Sequence, residues 1–246
     1  MMRNILAILA VLCILFPRAA LARDPFGGFK QYVDRGSLKP FTRDLGSVLG
    51  AATFHSGRNL GFSGFDLGIR GGLQLEPSKG NTILRRRGVK AFGLPWVQVE
   101  IGLPFRLDGY IRGISFRGLT VAGGGLRYGI KKSADKPRSP QFLLAWSAHS
   151  VTQRDFTATH IGLNLISSVR VKWVTPYLGV GADRTRVVVR CVPVIDPAFE
   201  GGSATTTESR FTVGVSVHPK AYVYLHGGYT LTHGRSGFDS GVGIRF

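Results

Sequence analysis

The stretch Ser236-Gly-Phe-Asp-Ser-Gly-Val-Gly-Ile-Arg-Phe246, at the end of the 246-residue chain, decides the fold. Mostly apolar side chains occupy alternate positions from Phe238 to Phe246, and Asp239, Arg245 and two glycines lie between them. Successive side chains of a β-strand point to opposite faces, so the pattern predicts one apolar face and one face that is polar or bare. We therefore expect a strand whose two faces meet different surroundings.

The same two-residue period begins near residue 62 and predicts about ten strands, within a range of eight to fourteen. Many match or exceed the roughly 9–11 residues that a tilted strand needs to cross a membrane. Strands of soluble proteins average about 5–6 residues. The pattern therefore favours an all-β, transmembrane, antiparallel up-and-down β-barrel over a soluble sandwich. The predicted strands are 62–74, 94–105, 107–117, 119–131, 141–152, 156–169, 172–184, 209–218, 221–231 and 236–246.

Charged and polar side chains fall on one parity of most predicted strands, opposite to apolar residues such as Leu67 and Ile69. A charge on the lipid face of a barrel costs about 2–4 kcal/mol near the midplane, so this parity is predicted to face the lumen. The exception is Arg112, which shares parity with Tyr110 and Ile114 and predicts either a bulge or a side chain near the interface. The predicted lumen-lining residues are Arg70, Glu100, Arg127, His149, His160, Asn164, Asp183, Arg210, His226, Asp239 and Arg245.

The N-terminal part of the chain predicts a cleaved secretory signal and then a short helix. Residues 1–22 combine a basic start at Arg3, an apolar run and a small-residue cleavage site ending at Ala22. The second predicted region is a segment over 23–61, followed by a barrel over 62–246. Within the segment, apolar residues spaced three and four apart predict an amphipathic helix over 38–49, with Pro40 in its first turn and Gly50 at its end. Such a helix either plugs the lumen, lies on the rim, or is a frayed lead-in.

Composition narrows the possible partners. The chain carries 32 Lys and Arg against 14 Asp and Glu, a net charge of +18. The long loops predicted over 76–93, 131–140 and 186–208 are polar, and barrels of this kind place long loops outside the cell. The candidate basic-loop residues are Arg85, Arg86, Arg87, Lys131 and Lys132. Dispersed arginines in an exported chain do not favour nucleic acid, and the six histidines lack metal-ligand spacing, so no metal or cofactor is expected.

The terminal strand resembles the closing strand of bacterial outer-membrane β-barrels. In that family, the last aromatic residue and an aromatic eight residues earlier, here Phe246 and Phe238, form the signal read by the barrel-assembly machinery. The Gly-rich stretch over 118–130 and the stretches over 65–70, 161–165 and 175–183 resemble uncharacterised barrels distantly akin to FadL-type transporters. The chain is shorter than the FadL type, and it lacks an Asn-Pro-Ala start to the plug. The resemblance implies the fold and the outer membrane of a Gram-negative-type bacterium.

One group of residues bears on enzymatic activity. Ser147 and His149 lie two apart on one predicted strand and face the same way, and Glu100 also points inward. A nucleophile, a base and an orienting acid are what a lipid hydrolase requires. In outer-membrane lipid hydrolases the histidine precedes the serine, whereas here the order is reversed. A polar lumen also produces such pairs without chemistry, so the expectation is that the chain is not an enzyme.

The sequence therefore leads to a monomeric outer-membrane barrel surrounded by lipid and lipopolysaccharide. The leading functional prediction is a narrow channel or passive transporter of small or hydrophobic solutes, because barrels of about eight strands are filled by side chains and porins need 16–18. The alternative is a structural or surface-interaction barrel that binds lipopolysaccharide through its basic loops. A lipid hydrolase is the remote third possibility.

Overall fold

A computed structural model describes residues 24–131 and 138–246. The predicted signal over 1–22 lies outside the described residues. Ten antiparallel strands follow one another around a closed barrel, and β1 pairs with β10 to complete it. The ten-stranded up-and-down barrel with a short N-terminal helix is thus confirmed. The strands are β1 Phe65–Gln74, β2 Phe92–Gly102, β3 Leu107–Phe116, β4 Leu119–Gly129, β5 Pro140–Gln153, β6 Phe156–Val169, β7 Val174–Val189, β8 Ser203–Lys220, β9 Val223–Thr232 and β10 Arg235–Arg245.

The strand pairing fixes which connections share an end of the barrel. We call the end where β1 begins and β10 ends the near mouth; it carries the connections 103–106, 130–139, 170–173 and 221–222. The opposite end, the far mouth, carries 75–91, 117–118, 154–155, 190–202 and 233–234. The expectation that all long loops lie on one side is therefore wrong for 130–139, because an odd number of strands separates it from 75–91.

The outer surface is an apolar belt. Exposed and buried residues alternate along most of β5 and β6, as the pleat of a strand requires. Outward side chains such as Leu163 and Phe211 are 49% and 41% exposed, although they are large and apolar. A belt of this kind is the surface that lipid, and not water, would cover.

Two strands run farther than the sequence pattern indicated. The prediction ended the seventh strand at 184 and began the eighth at 209, whereas β7 continues to Val189 and β8 begins at Ser203. Arg184 and Arg186 point outward in this extension, where the β7–β8 pair continues in unbroken register. Outward arginines weaken an alternation signal based on hydropathy, so the strand reads as a polar loop.

Strand β3 contains neither a bulge nor an outward arginine. Its ten residues pair with β4 in unbroken register, and Tyr110 and Arg112 both point inward, at 5% and 3% exposure. The exposed side chain is Ile111, at 69%. The two explanations proposed from the sequence for Arg112 are therefore wrong, because the inward face of this strand mixes aromatic, aliphatic and charged residues.

Within residues 24–131 and 138–246, three α-helices lie before or between the strands: α1 Phe29–Tyr32, α2 Arg35–Leu49 and α3 Thr82–Arg86. Helix α2 begins three residues earlier than predicted because Asp34 caps it. The Asp34 carboxylate accepts a hydrogen bond from the Ser37 backbone N–H at 2.7 Å, and the Ser37 hydroxyl oxygen accepts one from the Asp34 backbone N–H at 2.9 Å. Pro40 consequently lies in the second turn and not the first, whereas Gly50 ends the helix as expected.

Helix α2 lies inside the barrel, so of the three alternatives for this segment the plug is the one observed. Its apolar face is buried against inward side chains of the far half of the wall, including Trp96 and Phe156. The interior is therefore apolar around the helix and polar towards the near mouth. Among the described residues, no helix is long and apolar enough to cross a membrane. The buried apolar residues of the helix are Leu38, Phe41, Leu45, Val48 and Leu49.

Candidate functional site

The segment 24–64 runs through the barrel from one mouth to the other. At the far mouth, Phe26 and Phe29 contact Phe156 at ring-centroid distances of 6.0 and 4.6 Å. Helix α2 then descends to the middle, and residues 50–64 continue to the near mouth, where Leu60 reaches Asp108 on β3. The lumen of the barrel is thus occupied along its length by its own chain.

Two wall arginines bind the C-terminal end of helix α2. Arg112 donates hydrogen bonds to the carbonyl oxygens of Leu49 and of Ala51, the latter at 2.9 Å. Arg210 donates to the carbonyl of Ser47 at 2.8 Å and to Asp183 at 2.7 Å. The last carbonyls of a helix have no partner within it and carry a partial negative charge, so both cations satisfy and stabilise this end.

Asp44, on the same helix, joins the plug to the far-mouth connections. It is completely buried and accepts hydrogen bonds from Gln74 at 2.9 Å, from Ser78 Oγ at 2.6 Å and from Asn81 at 2.7 Å. His233, in the β9–β10 turn, lies 3.1 Å from it. Burial alone would raise the pKa of Asp44, but the hydrogen bonds from these neighbours hold the pKa below its ordinary value.

A cluster of ion pairs fills the lumen below the helix. Glu100 on β2 binds Arg70 at 2.7 Å and also binds Arg127, which lies 3.3 Å from Asp108. Arg70 also lies 3.4 Å from Asp66. All five side chains are buried, and such charges are stable only when they pair and hydrogen-bond with one another. The cluster therefore fills this part of the lumen with paired charges, three carboxylates against two guanidinium groups.

The extended part of the plug is fastened to the wall by separate contacts. Asp239 on β10 accepts a hydrogen bond from the Ala52 backbone N–H at 3.0 Å, and the hydroxyl of Ser168 accepts one from Gly57 at 2.9 Å. The His55 ring stacks on Tyr224 at 4.1 Å. Burial, together with nearby Arg cations, holds the pKa of His55 well below its usual range, so this imidazole is neutral at pH 7.

A cavity of about 320 Å³ remains at the near mouth, below the ion-pair cluster. We call it the near-mouth vestibule. It lies between the end of the plug segment and the near-mouth ends of β5 to β10. Its lining residues are Ser56, Arg58, Leu60, Ser139, Gln141, Ser168, Arg170, Thr175, His218, Ala221, Tyr222, Tyr224, Arg245 and Phe246.

The residues proposed from the sequence to line the lumen all point into the barrel, but the plug and the ion pairs engage many of them. Arg245 donates to the Asn59 carbonyl at 2.8 Å, and His160 Nδ1 lies 2.9 Å from Thr185 Oγ1. The nitrogens of His226 have no hydrogen-bond partner among the described residues. The whole set is Arg70, Glu100, Arg127, His149, His160, Asn164, Asp183, Arg210, His226, Asp239 and Arg245.

The sequence did not identify Arg112 or Asp44 as residues of this site. Arg112 was missed because its neighbours of the same parity are aromatic or aliphatic, although these too point inward. Asp44 was missed because a carboxylate on an amphipathic helix ordinarily faces water. One signal in the sequence could have singled it out: Asp44 is the only acidic residue within α2, where its neighbours are basic or neutral.

The side chains considered for hydrolysis are held by other partners. His149 Nε2 receives a hydrogen bond from Arg112 Nε at 2.7 Å, and Ser147 Oγ lies 3.5 Å from the Gly162 carbonyl. Glu100 is bound by two arginines and by Gln98, which donates to it at 2.6 Å. Within the described residues, no hydrogen bond joins the serine, the histidine and the glutamate to one another.

The candidate basic-loop residues do not form one surface. Arg85 and Arg86 are exposed at the far mouth, and the Arg86 guanidinium lies 5.8 Å from the Tyr32 ring centroid. Arg87 is partly buried. Lys131 is exposed at the near mouth, on the opposite side of the barrel. Lys132 lies outside the described residues.

The two aromatic residues of the predicted insertion signal lie on the outside of β10 and at its end. Phe238 and Phe246 are 47% and 63% exposed, and Phe246 stacks on Tyr222 at a ring-centroid distance of 5.4 Å. Both rings are thus accessible from outside the barrel. No group of three or more potential metal ligands occurs in the parts of the chain that the structure describes.

Comparison with known proteins yields structural similarity without a family. No protein-family model matches this chain, and no curated protein matches it. The N-terminal β-barrel domain of Pseudomonas aeruginosa OprF is 11% identical, with 76% of this chain and 99% of that chain covered and a TM-score of 0.38. The transport unit of the autotransporter AIDA-I from Escherichia coli is also 11% identical, with 88% and 99% covered and a TM-score of 0.40.

A third solved structure, the outer membrane protein Omp33 of Acinetobacter baumannii, is 5% identical, with 77% of this chain and 100% of that chain covered and a TM-score of 0.34. Overlaps of this extent do not assign a function to this chain. They also do not bear on the resemblance to FadL-type transporters, which stays a prediction.

Proposed function

We propose that this chain is an outer-membrane β-barrel whose lumen is kept closed by its own N-terminal segment. The protein then serves as a structural and binding barrel and not as an open channel. The apolar belt supports the membrane location, because such a surface in water would favour aggregation. In this proposal the near mouth faces the periplasm, and the barrel-assembly machinery reads Phe238 and Phe246 on the closing strand. The barrel acts as a monomer, and its closed β1–β10 seam leaves no strand edge there for a second copy.

The observation that carries the proposal is the way the plug is held. Five apolar side chains of α2 are buried inside the far half of the barrel, and burial of each such side chain contributes about 1.5–3 kcal/mol. Arg112 and Arg210 hold the end of the helix, and Asp44 holds its middle. A plug that opened spontaneously would have to expose these apolar groups and break these bonds together.

Planar-bilayer recording tests the proposal directly. We expect the purified barrel to show no steady current, and the double variant Arg112→Ala with Arg210→Ala to show intermittent openings because the end of the helix is released. The matched control is Arg184→Ala with Arg186→Ala, which removes two exposed arginines of β7 that do not face the plug. Steady channel currents from the unmodified barrel would refute a closed resting state and restore the narrow channel predicted from the sequence.

A second role, contact with lipopolysaccharide, rests on the far mouth alone. Arg85 and Arg86 are exposed there, and guanidinium groups suit the phosphates of that lipid. We expect Arg85→Gln with Arg86→Gln to weaken the binding of purified lipopolysaccharide, whereas Lys131→Gln, at the opposite mouth, should leave it unchanged. Equal effects of the two changes would mean that binding reflects net charge and not this surface.

The proposal assigns no hydrolysis to Ser147 and His149, because among the described residues no hydrogen bond joins the serine to the imidazole, as a nucleophile and its base require. A passive transport role would require displacement of the plug by a solute.

The reading of the closing strand by the assembly machinery has its own test. Removing Phe246 should reduce the folded protein recovered from the outer membrane, and an unchanged recovery would contradict that part of the proposal.

A further inference from the structure

The near-mouth vestibule differs in charge from the rest of the interior. Above it, every buried arginine of the central cluster is paired with a carboxylate. Arg170 and Arg245 line the vestibule, and its lining contains no Asp or Glu. Several cations around one cavity repel one another and create a local positive potential. The cavity therefore suits an anion, which would relieve this repulsion.

The uncharged lining supplies further hydrogen-bonding groups. Gln141 and Thr175 are each 5% exposed, and neither Gln141 Nε2 nor Thr175 Oγ1 has a hydrogen-bond partner among the described residues. His218 Nδ1 also has no hydrogen-bond partner among the described residues. Buried polar groups without partners cost free energy, so groups of this kind beside a cavity are available to hydrogen-bond a ligand that enters it. A ligand with several acceptor oxygens would suit both the donors and the cations.

The position of the vestibule indicates where such a ligand comes from. Tyr222 and Phe246 line it and are also 60% and 63% exposed on the outer surface. Aromatic side chains of this kind mark the boundary between membrane and water in barrels. Exposed cations surround the same mouth, and the rim set is Arg106, Lys131, Arg138, Arg170, Lys172 and Lys220. The cavity thus lies at the level where lipid headgroups would meet the barrel.

We propose that the near-mouth vestibule is a binding site for a phosphate group, carried either by a phospholipid headgroup or by free inorganic phosphate. Arg170 and Arg245 supply charge-assisted donors, and guanidinium groups bind phosphate oxygens in pairs. Gln141 and Thr175 complete the set from the wall. A volume of about 320 Å³ is at the lower end of the roughly 300–1,000 Å³ found for small-molecule sites, which fits a headgroup. This site goes beyond the role of a closed barrel and does not depend on it.

The test uses the full folded protein, purified in a phosphate-free detergent. One arm titrates inorganic phosphate against chloride at equal ionic strength by calorimetry. The other arm measures capture of the protein by nanodiscs of a phosphate-free galactolipid with and without phosphatidylglycerol. The variants are Arg170→Gln, Arg245→Gln and Thr175→Val. The control is Arg154→Gln, which neutralises an exposed arginine at the far mouth.

We expect the dissociation constant for the binding phosphate source to rise about tenfold in Arg170→Gln and in Arg245→Gln, since a charge-assisted contact is worth about one factor of ten. Arg154→Gln should bind as the unmodified protein does. Binding of phosphate in the first arm identifies a free anion, and binding in the nanodisc arm alone identifies a headgroup.

Three results would overturn the proposal. The first is the absence of phosphate-specific binding in both arms. The second is binding that Arg170→Gln leaves unchanged. Arg170 is exposed on the rim, so its replacement should not disturb folding, and this variant is informative even if Arg245→Gln does not fold. The third is an equal loss in Arg154→Gln, which would show that only overall charge matters. Conductance plays no part in either arm, so a channel-forming barrel would still leave the site testable.

Discussion

Replacing Asp44 with alanine should release the plug from the far-mouth connections. The buried carboxylate accepts hydrogen bonds from Gln74, Ser78 and Asn81, and it lies beside His233. Alanine leaves these donors buried without an acceptor. An unsatisfied buried donor costs about 1–3 kcal/mol, and removal of one partner from a buried charged network costs about 3–5 kcal/mol. We therefore expect a loss of about 3–5 kcal/mol, because the donors share one acceptor and relax together.

The assay is urea unfolding of the folded protein in detergent, followed by tryptophan fluorescence, to which Trp96, buried beside the plug, contributes. The matched control is Asp196→Ala. Asp196 is a partly exposed loop carboxylate that lies 3.6 Å from the exposed Arg35, and such a surface pair contributes about 0–1 kcal/mol. If Asp44→Ala and Asp196→Ala lowered the free energy of unfolding equally, the buried cluster around Asp44 would not hold the plug.

Acid gives an independent measure of the same group. Because the pKa of Asp44 is lower in the folded protein than its ordinary value, its ionised form stabilises the fold. That contribution is complete above the ordinary carboxyl pKa of about 3.9 and disappears as the pH falls through the lower folded value. We expect acidification from about pH 5 to pH 3 to weaken the unmodified protein more than Asp44→Asn, which cannot ionise. An identical pH dependence of the two proteins would contradict this assignment.

Two further predictions concern the fit and the direction of the plug. A Cβ at Gly46 would overlap Thr185 Oγ1 of the wall, so Gly46→Ala should lower the urea midpoint. Gly36→Ala, on the same helix, would add a Cβ that makes only an ordinary contact with Asp34 Oδ1, so it should be neutral or stabilising. Equal midpoints would refute close packing at Gly46. In a background lacking Cys191, a cysteine at exposed Lys30 should react with a membrane-impermeant maleimide in intact cells, whereas one at Lys220 should react only after the outer membrane is opened. The reverse labelling pattern would invert the proposed orientation.

The strand pattern was readable from the sequence because one side of each strand meets the belt and the other the interior. The period of two requires only that difference, so β6 was bounded to the residue, at Phe156–Val169. The boundaries failed where the difference disappears. Strand β7 carries outward Arg184 and Arg186, so its last residues are polar on the outer face. The sequence pattern there therefore indicates a loop.

The contents of the barrel were less predictable, because they depend on which strands face each other across the lumen. Parity places Glu100, Arg70 and Arg127 inside, but it does not show that they pair with one another. The direction of the plug could not be read from an amphipathic helix either. A helix that enters from the far mouth and one that enters from the near mouth have the same apolar face. Contacts such as those of Phe29 with Phe156 and of Leu60 with Asp108 distinguish them.

The route of residues 24–64 through the barrel has a consequence for biogenesis. One end of this segment lies at the far mouth, the other is continuous with β1, and the wall around it is a closed ring. A folded helix with bulky side chains such as Phe41 cannot slip into a finished ring that fits it tightly. The pairing of β1 with β10, which includes Leu73 with Phe238, must then form after the segment has taken its place inside the barrel. The sheet would then wrap around the plug during folding, and its two edge strands, β1 and β10, would pair last.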